Sequence, residues 1–342
     1  MKPYRTGIVG AGFGATCHLP ALQNHPSFEV VAIASPRSAV DVARRENVAH
    51  AFGSCAEMLA ACELDAVIVA SPPFAHDDDV LATLAARKHV LCEKPFATSL
   101  AAAGRMVEAA LLAGTACGVV HEFRFVPQAQ ALKELIVNGH LAHVRNIEIT
   151  MLRHTLRRHE RRERSWWFER KRGGGLAGAI LSHVIDQANW LAGRDPARVL
   201  GFHRTANPDR IDDTGSYTSS VDDGAFALLD YGDGLVARCT ADATASVESY
   251  TCAVHGERLT AVASGPNIVE LTLYTADRER TEELTCKPSP YRRFERINGN
   301  VPLLMELYDE FAKAIEGEPN ALPSFAEALA TQQALAAIGY EL

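Results

Sequence analysis

The 342-residue sequence contains no apolar run of the roughly eighteen residues that a membrane-spanning helix needs. The longest candidate, Ala109 to Val120, is short and is interrupted by Gly114 and Gly118. The stretch Gly7 to Ala15 superficially resembles the core of a secretory signal, but four of its nine residues are glycine and no small-residue cleavage site follows before His18. It reads as part of the folded protein. Cys-x-x-Cys pairs are also missing. The eight cysteines, at 17, 55, 62, 92, 117, 239, 252 and 286, are scattered, so neither a zinc knuckle nor a disulfide framework is signalled. Reduced thiols in cytoplasm are the expectation. Basic charge is in the minority, with 34 Lys and Arg against 42 Asp and Glu, and a net charge of -8 argues against nucleic acid as the main partner. There is no Walker lysine, no Gly-x-Ser-x-Gly elbow, and no second histidine to follow His121-Glu122 in a zinc-protease helix. The run His76-Asp77-Asp78-Asp79 is explained by carboxylates at a helix start, and no metal is expected.

What is present is an ordinary globular composition, 47% hydrophobic and 22% charged, in a chain long enough for two domains. The first 120 or so residues alternate short β-branched runs with longer Ala-rich, helix-period stretches, the pattern of parallel βαβ units. Strands are expected at Arg5 to Val9, Val30 to Ala34, Ala66 to Ala70, His89 to Cys92 and Ala116 to Val120. Helices are expected near Ala39 to Glu46, Cys55 to Ala61, Asp78 to Ala86 and Leu100 to Leu112, spaced as right-handed crossovers require. That is a doubly wound α/β sheet, assigned to residues 1–122. From Phe123 the texture changes to a helix, a strand near Val144 to Met151, a basic stretch, a Gly-rich helix start and strands with hairpin signals such as Tyr231-Gly232-Asp233-Gly234. Residues 123–342 are therefore assigned to a second α/β domain dominated by antiparallel sheet. Its two closing helices, Pro302 to Glu316 and Phe325 to Ile338, are free to pack back on the first domain.

Gly10-Ala11-Gly12-Phe13-Gly14-Ala15 directly follows an apolar strand and opens a helical stretch, the context in which a Gly-x-Gly-x-x-Gly/Ala turn lets a pyrophosphate approach backbone N–H groups. Pro20 is expected to bend that helix. At the end of the second strand an acid would normally hold the ribose 2′-hydroxyl of NAD, but the chain reads Ala34-Ser35-Pro36-Arg37-Ser38. A hydroxyl followed by a guanidinium suits a 2′-phosphate through charge-assisted hydrogen bonds, so NADP is the expected cofactor, with NAD as the alternative. The plain alternative is a turn in which Ser35 caps the next helix and Arg37 is solvated.

Ala70-Ser71-Pro72-Pro73 with His76, and Cys92-Glu93-Lys94-Pro95, each follow an expected parallel strand, where ligands of such sheets bind. With these residues the sequence resembles the Gfo/Idh/MocA family of NAD(P)-dependent oxidoreductases, which carry Glu-Lys-Pro after a parallel strand. The likeness continues through His18-Leu19-Pro20-Ala21-Leu22, Arg124-Phe125 with Pro127, Gly173-Gly174-Gly175 with His183 and Asp186, and the Phe311 to Leu335 region. The resemblance implies a Rossmann domain, a second domain whose large open-faced sheet often forms the oligomer interface (a dimer or tetramer), and a site between the two. It gives Lys94 the nicotinamide ribose and the substrate hydroxyl or carbonyl, with Glu93 and Pro95 shaping the loop, and it makes His183 the acid–base candidate. An ammonium can polarise a carbonyl, and an imidazole titrates near neutrality, which suits those parts. The expected cofactor contacts are Gly10, Gly12, Phe13, Gly14, Ala15, Ser35, Arg37, Ser71, Pro72, Pro73, His76, Glu93, Lys94 and Arg124. Trp166 and Trp167 join Lys94 and His183 as expected substrate contacts. The bland alternatives are a surface lysine in a turn and a structural histidine.

The sequence departs from the family's commonest pattern at Ala179, where an Asp four residues before the histidine is usual, and at Leu181, where a Gly is usual. Arg153 to Arg172 holds nine Arg or Lys against three Glu, with His154 and His159. It is read as a solvated helix with paired charges or, bordering the site, as a reason for an anionic substrate. The leading expectation is a cytoplasmic NADP-dependent oxidoreductase moving hydride between nicotinamide and a hydroxyl- or carbonyl-bearing carbon of a sugar, polyol or cyclic alcohol. The alternatives are a glycosidase that uses a retained nicotinamide for oxidation, elimination and addition, and a cofactor-binding protein without activity.

Overall fold

The computed structural model describes residues 2–265, 270–275 and 280–341. They divide into two compact units, one of residues 1–122 with 289–329 and the other of 123–288 with 330–342. In the first unit the strands are β1 (Tyr4–Val9), β2 (Phe28–Ala34), β3 (His50–Phe52), β4 (Ala66–Val69), β5 (His89–Cys92) and β6 (Cys117–Val119). They form one parallel sheet in the order β3-β2-β1-β4-β5-β6, so the chain runs outward from β1 to one edge and then to the other. The order reverses beside β1, whose carboxyl end faces the crevice where such sheets take ligands. Burial on both faces explains why β4 is uniformly apolar, Ala66-Val67-Ile68-Val69, with all four residues buried.

The crossovers are α1 (Leu19–Gln23), α2 (Ala39–Glu46), α3 (Cys55–Ala61), α4 (His76–Ala85) and α5 (Leu100–Ala113). Ser54 and Ser99 begin α3 and α5 by accepting from the N–H groups of Glu57 and Ala102, while Asn47 and Gly114 end α2 and α5 in the left-handed conformation. Pro20 causes no bend in mid-helix. The helical stretch is a wider π-type turn over Gly14–His18 that passes into α1, and Pro20 stands in the first turn of α1, where its missing N–H leaves no bond unmade.

The second unit contains α6 (Pro127–Val137), β7 (Asn146–Leu152), α7 (Ser182–Ala192), β8 (Arg198–Arg204), β9 (Asp209–Asp212) and β10 (Gly215–Thr218). Beyond these come β11 (Gly224–Asp230), β12 (Val236–Asp242), β13 (Ser249–His255), β14 (Leu259–Gly265), β15 (Glu270–Thr275) and β16 (Arg280–Glu283). An eight-stranded sheet runs β16-β15-β14-β13-β7-β12-β11-β8, antiparallel except for the parallel pair β7 and β12, and β9 with β10 is a separate hairpin. The Tyr231 to Gly234 turn joins β11 to β12, with Gly232, Asp233 and Gly234 all at positive φ. Strand β7 alternates, so Ile147, Ile149 and Met151 are buried and Glu148 and Thr150 are not. Helices α6 and α7 pack against this sheet.

Late in the chain come α8 (Val301–Glu316) and α9 (Phe325–Ala337). The first packs on α1, and Phe311 stacks on Phe28 of β2 with ring centroids 5.9 Å apart. No described helix is long and apolar enough to cross a membrane.

The helix expected over Arg153 to Arg172 does not form. Its backbone is used sideways instead: Arg153 and Leu156 donate to the carbonyls of Asp242 and Ala243, and Arg162 donates to Ile211 of β9. Two short 3-10 turns, Trp166–Phe168 and Arg170–Arg172, complete it.

Candidate active site

The carboxyl end of β1 leads into the glycine turn. Gly10 has φ 107°, and a Cβ there would overlap the carbonyl oxygen of Ala70, so only glycine lets this turn close on the end of β4. A Cβ on Gly12 would meet no atom within 4 Å, so its backbone faces open space at the start of a helical turn. Phe13 is half-buried, and Gly14 and Ala15 are buried behind it. Bare backbone N–H groups with room before them fit a dinucleotide pyrophosphate. At the end of β2, the Ser35 and Ser38 hydroxyls are 3.1 Å apart and Arg37 is exposed, with no acid in the run Ser35-Pro36-Arg37-Ser38.

Ser71 and Pro72 are half-buried after β4, and Pro73 is buried. The Ser71 hydroxyl donates to Asp79 at 2.7 Å. His76 is fully buried, with Nε2 2.8 Å from the Ser71 carbonyl and Nδ1 3.1 Å from that of Pro95 and 3.3 Å from that of Phe96. It ties the loop after β4 to the loop after β5. Burial lowers its basicity, against the pull of the Ser71 carbonyl and the Glu93 charge. Of the three carboxylates that open α4, Asp77 pairs with Arg105 at 2.6 Å and Asp79 takes the Ser71 bond.

After β5 the chain turns at Glu93-Lys94-Pro95, with a cis bond before Pro95. Lys94 is half-buried and its backbone N–H donates to Glu93 Oε2 at 3.0 Å. Glu93 Oε1 is 3.0 Å from His18 Nε2, and His18 Nδ1 is 2.5 Å from the Tyr308 hydroxyl. Burial works to raise the Glu93 carboxyl, but the His18 bond and the charges of Lys94, His18 and His76 outweigh it and hold the group below its ordinary value. His18 was visible in the sequence only as part of a resemblance, and Tyr308 carried no signal at all.

In the second unit, His183 and Asp186 lie one turn apart on α7, both buried. The His183 ring stacks on Phe123 with centroids 4.1 Å apart and planes 17° from parallel. Next in sequence, Arg124 makes a two-pronged bond to Asp186, Nε to Oδ2 at 2.8 Å and Nη2 to Oδ1 at 2.6 Å. Residues 123 and 124 thus grip two successive turns of α7. The Asp186 carboxylate is held by Arg124, and Ala179 supplies none. Ahead of α7, Gly174 allows close approach of the Trp167 carbonyl and Gly175, at φ 110°, leaves room for Asp222. Asp222 in turn accepts from the Ala177 N–H at 2.6 Å. Burial pushes the Asp222 carboxyl up, against that bond and the charges of His203 and Arg170. Trp166 and Trp167 are half-buried, and Arg162 lies over the Trp167 ring at 5.6 Å. Four of the nine cations of the basic run are paired with carboxylates, Arg157 with Glu160, Arg161 with Asp213, Arg153 with Glu248 and Arg172 with Glu169, and His154 also lies beside Glu248.

A parallel sheet with a glycine turn at its reversal point is the arrangement in which Rossmann sheets take a dinucleotide, and a helix-backed, mostly antiparallel sheet forms the second unit. Residues 4–121 match the model described as the oxidoreductase family with an NAD-binding Rossmann fold, and residues 129–262 match the Gfo/Idh/MocA C-terminal domain. The protein belongs to the Gfo/Idh/MocA family of oxidoreductases, whose first domain is an NAD-binding Rossmann fold. It is similar to an uncharacterized oxidoreductase of Synechocystis, 27% identical over 95% of this chain and 90% of that one. It is also similar to 1,5-anhydro-D-fructose reductase of Ensifer adhaerens, 27% identical over 68% of each chain. Among solved structures, levoglucosan dehydrogenase in complex with NADH and levoglucosan superposes with a TM-score of 0.85, at 24% identity over 98% of this chain and 96% of that one.

Proposed function

We propose that the protein is an NADP-preferring dehydrogenase or reductase for a sugar, polyol or cyclic alcohol. The observation that carries the reading is the turn Glu93-Lys94 at the carboxyl end of β5, in the same parallel sheet as the open glycine turn after β1. The glycine turn takes the pyrophosphate, and Ser35 and Arg37 take a ribose 2′-phosphate, because a hydroxyl and a guanidinium attract an anion that a carboxylate would repel. Ser71, Pro72 and Pro73 border the cofactor, and His76 keeps their loop in register with Lys94. The nicotinamide, when bound, accepts or supplies hydride at C4. Lys94 hydrogen-bonds the substrate oxygen and stabilises the negative charge that grows there as the hydroxyl proton leaves in oxidation, or as hydride reaches the carbonyl carbon in reduction. His183 receives the hydroxyl proton in oxidation and returns it in reduction, with its ring oriented by Phe123 and its helix by Arg124. Trp166 and Trp167 offer flat apolar faces of the kind that pack on sugar rings.

The relatives' names include a neutral anhydro-sugar and a sugar phosphate, so they favour neither a neutral nor an anionic substrate. Self-association through the open sheet is part of the same reading. Leu200, Phe202 and Leu228 are 53%, 60% and 40% exposed on neighbouring strands β8 and β11, an apolar patch suited to a second copy of the chain.

The test is fluorescence titration with NADPH and NADH. NADPH should bind at least about tenfold more tightly, a difference of about 1.4 kcal/mol, and Arg37→Ala should weaken NADPH while leaving NADH nearly unchanged. Equal affinities, or tighter NADH, would overturn the NADP assignment.

A further inference from the structure

We propose that His18 is a positioning residue, holding the Glu93 carboxylate in place beside Lys94 while Tyr308 fixes its ring from behind. The three side chains come from distant parts of the sequence, the turn before α1, the loop after β5, and α8, and all belong to the first unit. His18 and Tyr308 have no exposed surface, and Glu93 is 6% exposed.

Two donors converge on Glu93: His18 Nε2–H donates to Oε1 and the Lys94 N–H donates to Oε2, while the Tyr308 hydroxyl lies 2.5 Å from His18 Nδ1. A carboxylate accepts only, so the Nε2 that faces it carries a hydrogen. The imidazole edge also meets the Phe13 ring, centroids 5.5 Å apart at 80°, so the same side chain braces the glycine turn against the lysine turn. Without the Nε2–H donor, a carboxylate this buried would keep the full desolvation cost with less to offset it. The other charged groups facing Glu93 are Lys94 and His76, with Asp79 behind His76. Tyr308, Cys17 and Cys92 also face it, and burial first, with the Glu93 charge, pushes each of them up, so they stay neutral.

This inference rests on the reading that Lys94 acts on the substrate, but its test does not need a substrate. Glu93 is followed by infrared difference spectroscopy between each protein and its Glu93→Gln counterpart near pH 6, about two units above the ordinary glutamate value. Two amides replace His18: glutamine, whose N–H₂ reaches about as far as Nε2, and asparagine, whose N–H₂ falls short. Wild type and His18→Gln should show no carboxylic-acid C=O band assigned to Glu93, whereas His18→Asn should show one. A Glu93 that remains carboxylate in His18→Asn, or identical spectra for the two amides, overturns the proposal. If the band behaves as expected while Lys94→Met turns over normally, the catalytic assignment of Lys94 fails and the part played by His18 stands.

Discussion

Replacing Asp186 by alanine removes the carboxylate that takes two N–H donors of the Arg124 guanidinium, in a place where the two side chains are 4% and 2% exposed. Removing one partner of a buried, two-pronged pair costs about 3–5 kcal/mol, because the remaining charge stays desolvated. The second unit has about 180 residues, and a change of 1 kcal/mol in a domain of that size moves the melting temperature by roughly 2–4 °C. The loss is therefore about 6–20 °C. The assay is built into the sequence, since the three tryptophans, Trp166, Trp167 and Trp190, all lie in the second unit and their fluorescence reports its unfolding. The double variant Arg124→Met/Asp186→Leu should recover most of the loss, because an apolar pair of similar volume has no desolvation cost to offset. A single-variant cost under about 1 kcal/mol, the worth of a solvent-exposed pair, would refute the reasoning.

Lys94→Met should lower turnover by about 10²-fold or more while shifting the melting temperature little, as measured by steady-state kinetics beside thermal unfolding. His183→Asn should lower kcat/KM by at least about tenfold and remove one limb of its pH profile. Surviving rate and limbs would make His183 structural. His76 binds protons less readily in the folded chain than in the unfolded one. It therefore contributes stability that is present above about pH 6.5 and lost as pH falls through the lower folded value. Urea unfolding at a series of pH values should show a smaller acid loss for His76→Asn than for wild type. Phe202→Glu puts a charge into the exposed patch of β8 and β11, and sedimentation should show smaller particles than wild type if that face joins copies.

Sequence periodicity located the first sheet because each parallel strand is a short apolar run between turn residues, and His89 to Cys92 came out at its observed bounds. The edge strand β3, His50-Ala51-Phe52, escaped because a three-residue edge needs no β-branched run and borrows its order from β2. The basic run misled for a different reason. Its Arg and Glu spacing is compatible with a helix, yet its backbone bonds go to β9 and to the end of β12, partners that no local pattern reveals. At the candidate site, the position of the Glu93-Lys94-Pro95 turn after β5 was legible because motif and strand end coincide in the chain. What holds the motif was not: His18 and Tyr308 are separated by 290 positions, and Arg124 and Asp186 by 62. Pairings over such distances are set by the tertiary fold, and a single sequence carries no trace of them.

Nicotinamide absorbance with NADP⁺ over a panel of sugars, anhydro-sugars, polyols and cyclic alcohols, with wild type and Lys94→Met in parallel, tests whether the protein is such a dehydrogenase and whether Lys94 acts in it. Cofactor reduction is expected with at least one member of the panel, faster with NADP⁺ than with NAD⁺, and slower by about 10²-fold in Lys94→Met. No turnover across the panel in either direction, or turnover that Lys94→Met leaves intact, would contradict that reading.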